Sequence, residues 1–112
     1  MMQIYADNAA TTKMSKAAID GMLPYLDTIY GNPSSLHSMG QEANEALSNA
    51  RERIAKLLGC DAGEITFTSG GSEADNQAII SAARIGKKKG RKHIISTAFE
   101  HHAVLHTLNK LE

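Results

Sequence analysis

The chain has 112 residues, enough for one modest domain with a small core, and its 42% apolar and 21% charged content is ordinary for a globular protein. Twelve lysines and arginines offset twelve aspartates and glutamates, so no net field recruits nucleic acid or an anionic membrane surface. The lone Cys60 excludes an internal disulfide, no cysteine and histidine set has zinc-ligand spacing, and neither a signal-like start nor a run of about 18 apolar residues is present, so a reducing cytoplasm is the expected compartment.

A brief extended start at Ile4 and Tyr5 leads into Asp7-Asn8-Ala9-Ala10-Thr11-Thr12, a small polar run that reads as a loop. From Ser15 to about Tyr30, Ala18, Ile19, Met22, Leu23, Leu26 and Ile29 recur at three and four residues, which predicts a helix that Pro24 kinks or restarts. Gly31-Asn32-Pro33-Ser34-Ser35 is turn chemistry. Ser38 and Gln41 then have the spacing of a capping box, ahead of a long helix. Along that helix Met39, Ala43, Ala46, Leu47, Ala50, Ile54, Leu57 and Leu58 form one apolar face, and Gly59 supplies a left-handed stop.

Residues 64–68, Glu-Ile-Thr-Phe-Thr, are β-branched and aromatic and read as a strand. Ser69-Gly70-Gly71-Ser72 leads into a helix carrying Ala74, Ala78, Ile79, Ala82 and Ala83. The basic run at 87–92 reads as a solvated loop. Residues 93–97 predict a second strand. Thr97 and Glu100 have capping-box spacing before a helix with Val104, Leu105, Leu108 and Leu111. Strand, helix and strand in this order imply a right-handed parallel crossover, so the predicted class is α/β.

Three features carry candidate chemistry. At the strand-to-helix junction, Gly70 and Gly71 let the backbone approach a ligand, and the helix start presents unpaired N–H groups suited to an anion. Neither the lysine of a P-loop nor the spaced glycines of a dinucleotide fingerprint is present. Ser72 either donates its hydroxyl to a phosphate or caps the helix with Asp75 at the third position. His101, beside His102, sits at the start of the last helix, where an imidazole stacks on a flat ring, moves protons, or is merely surface. Both features map to the carboxyl edge of a parallel sheet, where ligands bind. The third feature is the pair of loops at 7–12 and 32–37, dense in small hydrogen-bonding residues. No role follows for His106. Cys60 follows a helix stop with no basic neighbour to activate it, and reads as structural.

Four segments together resemble the N-terminal third of cysteine desulfurases of the NifS and IscS type, in the class V aminotransferase group of pyridoxal-phosphate enzymes. They are Tyr-Ala-Asp-Asn-Ala-Ala-Thr-Thr at 5–12, Tyr-Gly-Asn-Pro-Ser-Ser-Leu-His at 30–37, Ile-Thr-Phe-Thr-Ser-Gly-Gly-Ser-Glu-Ala-Asp-Asn at 65–76, and Glu-His at 100–101. The resemblance implies a fold-type I large domain that begins at about residue 15 and is incomplete at 112, preceded by an active-site segment at 1–14. It implies that Gly70, Gly71 and Ser72, the last standing where the family usually has threonine, bind the cofactor phosphate. It further implies that His101 stacks on the pyridine ring and shuttles protons, and that Asn8, Ala9 and Thr11 line the substrate side. His37 and the turn at 31–35 would shape the entrance.

In the family reaction L-cysteine becomes L-alanine while an enzyme cysteine takes the sulfur as a persulfide, for delivery to acceptor proteins in iron–sulfur cluster assembly or tRNA thiolation. The Schiff-base lysine, the aspartate that pairs with the pyridine nitrogen, the arginine for the substrate carboxylate and the catalytic cysteine come later in family sequences than the matched segments. Lys13, Lys16 and the lysines at 87–89 do not match that lysine, and Cys60 does not match that cysteine. The expectation is a desulfurase as the whole enzyme, with these 112 residues inactive alone, as a truncated gene product or a cloned fragment, and self-associating through uncovered faces. Alternatives are another class V aminotransferase, a selenocysteine lyase, or a non-enzymatic anion-binding module.

Overall fold

The computed structural model describes residues 2–112, which divide between Ile65 and Thr66 into two compact units. The first holds helices α1 (Lys16–Asp27) and α2 (Ser38–Leu58) and a 3-10 turn at Ala62–Glu64. The second holds α3 (Gly71–Lys88) and α4 (His102–Asn109).

Helix α1 starts where Ser15 accepts a hydrogen bond from the Ala18 amide at 3.2 Å. It runs through Pro24, so the expected kink does not end it; instead Thr28 and Ile29 both donate to the Pro24 carbonyl at the last turn. The turn at 31–35 is closed by Ser35 N–H to the Asn32 carbonyl and by Ser34 N–H to Asn32 Oδ1, each 2.9 Å. It lies hard against the first turn of α2. A Cβ on Gly31 would collide with the Met39 carbonyl, and one on Gly40 with the Ser35 carbonyl, so both approaches need glycine.

The predicted capping box at Ser38 is displaced by one residue. His37 is the N-cap of α2, its Nδ1 accepting from the Gly40 amide at 3.3 Å, while Gln41 donates to the Leu36 carbonyl at 3.1 Å. Gly59, at φ 70°, ends the helix in the left-handed conformation as expected. The predicted apolar face of α2 is covered only in part: Ala43 and Ala46 are half-buried and its larger residues are exposed. Gly40 and Ala55 are the buried positions of α2, whereas Leu57 is 86% exposed. Arg51 on the same helix donates through Nε to the Ile65 carbonyl at 3.3 Å, tying α2 to the end of its unit.

In the second unit α3 packs on α4. The half-buried stripe of α3 is Asp75, Asn76, Ile79, Ile80, Ala83 and Gly86; the predicted Ala74, Ala78 and Ala82 are exposed. Lys87 and Lys88 of the expected loop are instead the last turn of α3, where cations oppose the helix dipole favourably. Gly90 at φ 73° turns the chain out of it.

The two predicted strands are not formed: among the described residues there is no strand, and residues 65–68 and 93–97 belong to no ladder. Strand propensity is a preference for a half-buried, partnered surface, and an extended segment without a partner has no hydrogen-bond ladder to hold it. Ile95 is accordingly 87% exposed. The parallel strand-helix-strand unit is thus not formed among the described residues, whose regular structure is helical.

Candidate functional site

The start of α3 is open. Its N-cap is Gly70, which has no side chain to cap with, and the space a Cβ would occupy at Gly70 or Gly71 is empty within 4 Å. The first-turn amides at 71–73 therefore point at accessible space, with the partial positive charge of an 18-residue helix behind them. Ser72 lies within the first turn, so the reading of Ser72 as the cap with Asp75 does not hold. The reach-back is made instead by Glu73, whose Oε2 accepts from the Ser69 amide at 2.7 Å and the Ser69 hydroxyl at 2.6 Å. These two bonds, the side-chain one first, hold the Glu73 carboxyl below the ordinary glutamate range. Amides, a hydroxyl at Ser72 and open space over two glycines form a donor set that suits a phosphate group.

His101 is the N-cap of α4, its Nδ1 accepting from the Ala103 amide at 3.1 Å. That bond requires Nδ1 to be unprotonated, so the neutral ring carries its hydrogen on Nε2. The ring itself is exposed and available to a flat partner. Thr97 and Glu100 do bond each other, Oγ1 to Oε1 at 2.9 Å, but in the loop before α4, so they are not its capping box. His102 and His106, one turn apart, stack on each other at 5.3 Å.

Two residues unremarked in the sequence join these helix starts. Asn76 of α3 donates through Nδ2 to the Ser72 carbonyl at 2.6 Å and to the Ala103 carbonyl of α4 at 3.3 Å. Its Oδ1 accepts from the hydroxyl of Thr107 at 2.6 Å, and Thr107 is only 2% exposed. A legible signal existed for Thr107: it falls inside the apolar stripe of Val104, Leu108 and Leu111, where a hydroxyl must find a partner.

Asn8, Ala9 and Thr11 lie in the first unit, in a turn where Ala10 and Thr11 N–H groups approach the Asp7 carbonyl at 3.2 and 3.4 Å and Tyr5 donates to the same oxygen at 2.9 Å. His37 is committed to capping α2. Cys60, half-buried and unbridged, donates its amide to the Ala55 carbonyl at the helix stop. A concavity of about 390 Å³ in the second unit is lined by Arg84, Lys87, Arg91 and Lys92 with apolar neighbours, and includes none of the residues just described. It marks the C-terminal end of α3, opposite to the open helix start.

Over 110 residues the chain is 50% identical to the cysteine desulfurase IscS of Clostridium botulinum strain Hall, covering 98% of this chain and 28% of that protein. Against the cysteine desulfurase IscS of Methanosarcina thermophila it is 48% identical over 109 residues, 97% of this chain and 27% of that one. A solved NifS-like protein superposes with a TM-score of 0.87 at 42% identity, over 98% of this chain and 30% of its own. The chain thus spans under a third of the length of the relatives it matches. With the class-V aminotransferase profile matching residues 4–112, nearly every residue described above falls inside the match, and the chain belongs to the class-V aminotransferase family.

Proposed function

We propose that these residues are the N-terminal part of a pyridoxal-phosphate-dependent cysteine desulfurase, in which the start of α3 receives the cofactor phosphate and His101 faces its ring. The observation that carries the reading is the pairing of an uncapped helix start at 70–72 with an exposed, tautomer-defined imidazole at the start of the helix packed against it. The naming of relatives about half identical over nearly the whole chain as cysteine desulfurases supports the reaction class. Bound pyridoxal phosphate supplies the electron sink for breaking bonds at the substrate's α and β carbons.

The chain's own contributions are positional. Amides at 71–73 and the Ser72 hydroxyl take the phosphate oxygens, and His101 holds a proton at Nε2, the nitrogen its capping bond leaves free. Asn8, Ala9 and Thr11 are assigned to the substrate side on resemblance. In the whole enzyme the segments at 65–68 and 93–97 become paired strands of a parallel sheet, the enzyme is an oligomer, and L-cysteine gives L-alanine with sulfur passed to acceptor proteins. No lysine or cysteine among these 112 residues takes the covalent roles, so they turn over no cysteine by themselves.

Two measurements test this. Pyridoxamine 5'-phosphate, which cannot react with surface lysines, is expected to bind more tightly than pyridoxamine, and Ser72→Ala to weaken it about tenfold, the effect of one charge-assisted hydrogen bond. Equal binding of the two compounds would contradict the phosphate assignment. Sustained alanine formation by the purified chain with pyridoxal phosphate and cysteine would contradict the claim that these residues are inactive alone.

A further inference from the structure

We propose that Asn76 and Thr107 are a positioning pair that sets the ring-facing His101 against the phosphate-facing turn at 70–72; the inference rests on the reading of those two places as one cofactor site. The covalent path between Ser72 and His101 runs through some 29 residues, including the unpaired segment at 93–97, and fixes nothing by itself. The hydrogen-bonded path is short. The Asn76 amide nitrogen donates at once to the Ser72 carbonyl in the first turn of α3 and to the Ala103 carbonyl in the first turn of α4. Ala103 is the residue whose amide His101 caps. A single side-chain amide thus stands between the hydroxyl-bearing residue of one helix start and the imidazole of the other.

The two carbonyls make that amide directional, and its remaining oxygen is met by Thr107. Its hydroxyl lies 2.6 Å from Asn76 Oδ1 and 2.8 Å from the Ala103 carbonyl, and it is among the most buried side chains described. Both carbonyls only accept, so the amide nitrogen faces them and Oδ1 is left to accept from the Thr107 hydroxyl; the flipped amide would set its oxygen against both carbonyls. Two polar groups in a helix-helix contact could instead have been apolar at little cost to packing, so their pairing specifies a relative placement of α3 and α4 more than it adds cohesion.

The test compares two probes on the 112-residue chain by chemical-shift titration. Inorganic phosphate needs the turn at 70–72 alone, whereas pyridoxamine 5'-phosphate needs the turn and His101 in register. In Asn76→Ala and in Thr107→Val, pyridoxamine 5'-phosphate is expected to weaken about tenfold while phosphate changes less than about twofold, and Thr107→Ser, which keeps the hydroxyl, is expected to match the native chain. If Asn76→Ala loses helicity by circular dichroism, Thr107→Val carries the same comparison. Parallel loss of both probes in the folded Thr107→Val chain, or unchanged affinity for both, overturns the positioning role and leaves the cofactor reading standing. Failure of the native chain to bind pyridoxamine 5'-phosphate overturns the cofactor reading, and this inference with it.

Discussion

Two histidines act as helix N-caps here, and that role separates their geometry from any chemistry they do. Replacing His101 by Asn keeps a strong capping side chain but removes the ring. Helicity of α4 is expected to persist, while affinity for pyridoxamine 5'-phosphate falls roughly five- to tenfold, the scale of an aromatic stacking contribution. Unchanged affinity in that variant would show that the ring has no partner. Neither cap was legible beforehand, because imidazole is not among the usual capping groups and Ser38 next door is. Glu73 offers a pH test. Its folded-state pKa is lowered by the Ser69 bonds, so its contribution is present above the ordinary glutamate range and is lost as pH falls through the lower folded value. The Ser69 amide resonance should therefore titrate below the usual glutamate range; titration within that range would remove the Glu73 reach-back from the account.

Helices were legible where their own residues decide them. The periodic run that begins at Ser15 and the Gly59 stop are local signals, and both are realised. Strands were not, because residues 65–68 and 93–97 have the right composition but no ladder, which only a neighbour can provide. The covered sides of α2 and α3 were legible only in part, at Ala43, Ala46, Ile79 and Ala83, since periodicity shows which face is apolar and not which face another element covers. Two glycines, Gly40 within α2 and Gly59 just past its end, have different roles and separable costs. Gly59→Ala places a Cβ in the left-handed region with nothing near it and is expected to cost about 1 kcal/mol. Gly40→Ala drives a Cβ into the Ser35 and Asn32 carbonyls and should cost more, measured as the larger fall in thermal midpoint by circular dichroism. The reverse order would mean that the turn at 31–35 does not pack on α2.

At the scale of the molecule, the accessible surface of 9808 Å² is far above the roughly 6,000 Å² of a folded monomer of this mass, and above the roughly 7,200 Å² of two separate domains of these sizes. Exposed Leu57 in the first unit and Phe99, 88% exposed, in the second show where the excess lies. Such apolar surface drives association, so the isolated chain is expected to sediment as a dimer or larger at tens of micromolar, a range set by typical weak affinities. A monodisperse monomer there would contradict this.

The central claim is that the start of α3 and His101 form one site for a phosphorylated ring. A residue-resolved titration of the chain with pyridoxamine 5'-phosphate tests it most directly. The amides of Gly70, Gly71 and Ser72 and the ring of His101 are predicted to shift together with a single affinity. Shifts confined to the basic concavity at Arg84, Lys87, Arg91 and Lys92, with 70–72 and His101 unmoved, would contradict it.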